Sequence, residues 1–88
     1  MYKGTTKSGF EYEVDEGVFD DMELIDALAD VNSGRDGLQI SVAVRKVFDP
    51  DQLKRLYDHV RNEKGRVPTE PIMDIILEIV EAGAGKNS

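Results

Sequence analysis

At 88 residues the chain has room for one domain with a single modest core, too small for a deep enclosed active site. Hydrophobic residues at 40% and charged residues at 33% suit a folded chain, while a net charge of -7 opposes general binding to nucleic-acid backbones, which depends on clustered Lys and Arg. The absence of cysteine excludes disulfides and thiolate metal sites, and a single histidine excludes an ordinary structural zinc site.

No apolar run approaches the ~18 residues of a membrane span, and the N-terminus lacks the apolar core of a signal peptide. A soluble cytoplasmic protein with no membrane and no nucleic-acid partner is expected.

Tyr2 to Thr6 and Phe10 to Val14 read as two strands of a hairpin. Lys7-Ser8-Gly9 has the length of a hairpin loop, with Gly9 available for the positive φ that three-residue loops require. Phe10, Tyr12 and Val14 alternate with Glu11, Glu13 and Asp15, the two-residue period of a strand with one buried face. A lone hairpin is marginal in water, so these three residues should pack on helices as core.

After Gly17 the period changes. Asp20 followed by Glu23 resembles a capping box with Asp in the Ser/Thr place, and Leu24, Ile25, Leu28 and Val31 then share one side of a helix. Asn32-Ser33-Gly34 supplies its stop. Nine of the eighteen acids lie between Gly9 and Val31 without a Lys or Arg. Asp20, Asp21 and Glu23 stand where carboxylates interact well with a helix N-terminus.

The Asp30 to Gly37 loop invites comparison with a calcium loop and fails it. With Asp30 as first ligand, Arg35 falls where Gly is needed and Ser41 where the bidentate Glu is needed. No metal and no cofactor is assigned.

Leu38 to Phe48 satisfies two periods. Ile40, Val42 and Val44 alternate as in a strand, while Ile40, Ala43, Val44, Val47 and Phe48 make one helical stripe. Its length and the helix start that follows favour a helix. Asp49-Pro50-Asp51-Gln52 is that start, with Asp as N-cap, Pro at the first position and Gln at the third. Leu53, Leu56, Tyr57 and Val60 form a stripe, and Gly65 closes the helix. Between Arg35 and Arg66 eight basic residues face five acidic ones, so an acidic first third precedes a mildly basic middle. Solvated helix faces with intramolecular pairing are the simpler account of that asymmetry, and a contact between two copies of the chain is the other. His59 lies off the stripe with no nucleophile near it in sequence, and no catalytic residue is assigned.

Thr69 caps the last helix. On a helical wheel Ile72, Ile75, Ile76 and Ile79 with Met73, Leu77 and Val80 span an arc of roughly 200°, about twice the stripe that one neighbour requires. Met73, Leu77 and Val80 are the excess, to be wrapped by a second element or presented to a partner. The expected fold is mainly α with a short N-terminal β-hairpin, an α+β chain with a small bundle of about four helices. Its single domain spans residues 1–82, with the hairpin at 2–14, helices near 21–31, 38–48, 50–63 and 70–82, and a flexible tail at 83–88.

The run Thr6-Lys7-Ser8-Gly9-Phe10-Glu11-Tyr12-Glu13-Val14-Asp15-Glu16, with Phe19-Asp20-Asp21-Met22-Glu23-Leu24-Ile25-Asp26-Ala27-Leu28, resembles the opening of small tail assembly chaperones of long-tailed bacteriophages and prophages. A second resembling piece comprises Asp51-Gln52-Leu53, Leu56-Tyr57-Asp58-His59-Val60-Arg61 and Lys64-Gly65-Arg66-Val67; the run from Ile40 to Val44 departs from the Leu-rich middle of that family. The resemblance implies a non-enzymatic protein of the bacterial host cytoplasm. Such a protein keeps the tape measure protein soluble and helps recruit tail tube subunits. It also implies short and long forms made by ribosomal frameshifting, and Gly85-Lys86-Asn87 is compatible with a slippery codon run. The partner-binding residues expected are Met73, Leu77 and Val80, with Asp20, Asp21 and Glu23 as a secondary contact and a homo-oligomer as a further possibility. The alternative reading is a small acidic inhibitor that mimics DNA and occupies a nucleic-acid enzyme.

Overall fold

The computed structural model describes residues 1–87. Two strands, β1 (Tyr2–Thr5) and β2 (Glu11–Val14), precede four helices, α1 (Met22–Asn32), α2 (Gln39–Val47), α3 (Pro50–Val60) and α4 (Thr69–Asn87). This is the expected α+β arrangement of a hairpin and four helices.

The hairpin is antiparallel, with Tyr2 opposite Val14 and Thr5 opposite Glu11. Thr6 N–H donates to the Phe10 carbonyl at 2.9 Å, so Lys7, Ser8 and Gly9 form the three-residue loop, and Gly9 takes φ +92° there. Gly4 faces Tyr12 across the pair; a Cβ at Gly4 would lie 2.5 Å from the Tyr12 hydroxyl, so only glycine lets that ring lie over β1.

The ambiguous segment is a helix, because a 3.6-residue period buries Ala43, Val44, Val47 and Phe48 together, which strand alternation would split between two faces. α1 packs chiefly on α2, and α2 touches both α3 and α4. The core joins Phe10 and Val14 of the hairpin to Leu24, Leu56, Ile76 and Ile79, with the Phe10 and Phe48 rings edge to face at 6.0 Å.

Three expectations are corrected. The N-cap of α1 is Asp21 rather than Asp20: its Oδ1 accepts from the Glu23 and Leu24 amides at 3.0 and 3.3 Å. α3 ends at Val60 instead of 63. The Asn62 carboxamide oxygen takes the amides of Lys64 and Arg66 at 3.0 and 3.1 Å, which diverts the backbone from a further helical turn, and Gly65, at φ +82°, closes that loop rather than the helix. α4 extends to Asn87 rather than ending at 82. Gly83 lies against the Tyr2 ring, with its missing Cβ only 3.2 Å from Tyr2 Cε2. Ser88, the end of the expected tail, lies outside the described residues.

One contact had no sequence signature of its own. In this register the Glu11 and Glu13 backbone groups point away from β1, along the free edge of β2. The Gln52 amide meets that edge: its Oε1 accepts from Glu13 N–H at 2.8 Å, and its Nε2 donates to the Glu13 carbonyl at 2.6 Å and to Asp49 Oδ2 at 2.9 Å. One turn on, Arg55 Nη1 donates to the Glu11 carbonyl at 3.2 Å while its guanidinium covers the Phe10 ring. Helix α3 thus closes the edge that a two-stranded sheet leaves open.

Candidate functional site

The first turn of the β-hairpin, the C-terminal end of α3 and one side of α4 enclose a groove of about 690 Å³. The loop contributes Lys7 and Ser8, and α3 contributes His59 and Val60. Pro71, Asp74, Ile75, Leu77, Glu78 and Glu81 come from α4. Its position follows from the sequence: the helical period places Ile72, Ile75, Ile76 and Ile79 in the core and leaves the flank bearing Asp74, Leu77, Glu78 and Glu81 beside the hairpin loop.

Two hydrogen bonds tie the loop to the helices. Lys7 N–H donates to Glu78 Oε2 at 2.9 Å, and Ser8 Oγ lies 3.3 Å from His59 Nε2 and 3.0 Å from Thr6 Oγ1. The His59 ring also rests on Phe10, with centroids 5.6 Å apart. Sequence spacing gave no hint of this serine partner, because 51 residues separate it from His59. Both side chains are exposed, and among the described residues no carboxylate bonds the histidine to orient it for proton transfer. The pair therefore reads as a latch holding the loop against α3.

The six expected contact residues do not form one surface. Met73, Leu77 and Val80 are each half-buried. Val80 packs part of its side chain against the core, whereas Leu77 lines the groove. Met73 neither joins the core nor lines the groove. At the opposite group, Asp21 is occupied by capping and by an ion pair with Lys46 at 3.1 Å. The Lys46 hydrogen bond, followed by the amides of Leu24 and Glu23, holds its carboxyl below the usual carboxylate range. Asp20 and Asp21 lie in a concavity that also holds Arg45 and Lys46, so the acids there are partly neutralised. Glu23 remains exposed.

Among the described residues no group of three or more His, Asp or Glu side chains is arranged to hold a metal. Asp30, the first position of the calcium-like loop, is paired with Arg35 at 3.1 Å. Among the described residues no helix is long and apolar enough to cross a membrane. Comparison with known protein families, with characterised proteins and with solved structures finds no match.

Proposed function

We propose that the protein is a non-enzymatic assembly chaperone of the kind made by long-tailed phages. In this reading it acts in the bacterial host cytoplasm, keeps a helical segment of the tape measure protein soluble and helps recruit tail tube subunits. The observation that carries the reading is the groove beside α4, where half-buried Leu77, next to the edge of buried Ile75, lies among Asp74, Glu78 and Glu81. An apolar strip bordered by charge receives the apolar side of an amphipathic helix while its own surroundings stay hydrated. The resemblance of residues 6–16 and 19–28, and of pieces of the 51–67 region, to tail assembly chaperones supplies the identity of that helix.

Co-expression with the tape measure protein encoded nearby tests it. The wild-type chain should bring the client into the soluble fraction, and Leu77→Asp should abolish recovery while leaving the melting temperature within a few degrees, because Leu77 is outside the buried core. An insoluble client with wild type overturns the reading. Unfolding of Leu77→Asp would move Leu77 into the core and the contact to Met73.

A further inference from the structure

Leu38 is 84% exposed, the largest exposure of any large apolar side chain among the described residues. It stands at the start of α2 with helical backbone angles, φ -70° and ψ -18°, where a side chain of any type is poorly placed to cap, and it makes no side-chain cap bond. The turn does not depend on it. Asp36 accepts the Leu38 amide at 3.1 Å and the Gln39 side chain at 3.3 Å. Val42, one turn further on the same side, is 41% exposed.

Near the same end of α2, between α2, α3 and α4, lies a cavity of about 280 Å³ walled by Ile40, Val44, Tyr57, Val67 and Ile72. A cavity of ~150 Å³ already admits a benzene ring, so an isobutyl group fits. The charges beside the two features are opposite. Leu38 follows α1, which carries Glu23, Asp26 and Asp30 and no basic residue, with Arg35 between them paired to Asp30, whereas Val67 follows a turn in which Arg61, Lys64 and Arg66 outnumber Glu63. The side chains of Glu23, Asp26, Lys64 and Arg66 have no hydrogen-bond or ion-pair partner among the described residues.

We propose that a second copy of this chain docks here, with Leu38 seated in the cavity of its partner and the acids of α1 alongside the partner's Lys64 to Arg66 turn. Every copy carries both the projection and the cavity near one end of α2, so in this proposal one two-fold axis places each Leu38 in the other cavity, makes the contact reciprocal and closes the pair. The charge pattern aids the encounter and fixes its orientation, and burial of two leucines holds it.

Sedimentation of the full chain over a rising concentration series tests this. The wild type should form a closed dimer that weakens with salt. Leu38→Ser should weaken it about a hundredfold or more, yet leave the melting temperature of the dilute protein unchanged, since the side chain is exposed in the monomer. Ser41→Leu, which fills the cavity from its own α2 wall, should weaken the dimer as well. A mixture of the two variants should associate more tightly than either alone, because one leucine and one open cavity remain. A wild type that stays monomeric at about 1 mM, the weak end of specific association, overturns the proposal. So does a dimer indifferent to both variants, or an open ladder of larger species. If Leu38→Ser fails to fold, Ser41→Leu decides.

Discussion

The junction of the hairpin with α3 and the outer surface of the α1–α2 pair treat water in opposite ways. At the junction a polar side chain is drawn inside: Gln52 is only 8% exposed, and every polar atom of its amide meets a backbone or carboxylate group. On α1 and α2 apolar side chains are left outside, with Met22 64% and Ile25 46% exposed in addition to Leu38 and Val42. Residue type alone would have sorted these the other way. Buried polarity here completes a sheet edge that would otherwise carry unpaired amides, whereas the exposed apolar residues serve nothing within the monomer.

The largest effect should come from breaking the buried side. Gln52→Leu keeps the volume but strands both the Glu13 N–H and its carbonyl, and should cost about 2–3 kcal/mol in chemical denaturation. A loss under roughly 0.5 kcal/mol, the range of ordinary surface changes, would mean that water serves that edge equally well.

A smaller effect is expected from acid. The Gln52 backbone amide, then its side chain, holds the Asp49 carboxyl below the usual range, as Lys46 does for Asp21. Carboxylates depressed in the folded state contribute stability above their unfolded pKa of about 3.9 and lose it as pH falls through the folded value. The urea midpoint should therefore drop below about pH 4. Asp49→Asn, which keeps the cap without the titration, should flatten part of that drop. An identical profile in the variant would assign the acid sensitivity elsewhere.

The smallest effect belongs to the exposed side. Ile25→Gln should alter stability by no more than about 0.5 kcal/mol, because little burial is lost. A larger destabilisation in dilute solution would show that the α1 surface is covered in the folded monomer.

Much of the fold was legible from local pattern. The alternation of Phe10, Tyr12 and Val14, the Gly9 loop and the Asp49-Pro50 start each depend on neighbours within a few residues, and each holds. The α1 start was misplaced by one position, because Asp20 and Asp21 are chemically equal and only the backbone direction at Asp21, φ -145° and ψ 107°, selects the cap. The end of α3 was overrun because Asn62 can serve either a helix or its own loop. On α4 the width of the apolar arc revealed an excess but not which part of it a neighbour covers: Val80 packs partly on the core and Leu77 lines the groove.

What the sequence determined by itself is therefore the inventory of elements and, for the hairpin, α2, α3 and α4, the side that turns inward, since both follow from periods of two and 3.6 residues along the chain; on α1 the inward side is set by Leu24 and Ala27, with Ile25 of the expected stripe 46% exposed. Only the tertiary structure decided that Ser8 meets His59, that Gln52 and Arg55 close the β2 edge, and that a cavity opens near Leu38. These are meetings of groups 39 to 51 residues apart, or spaces between three helices, and their partners are chosen by packing rather than by any spacing along the chain.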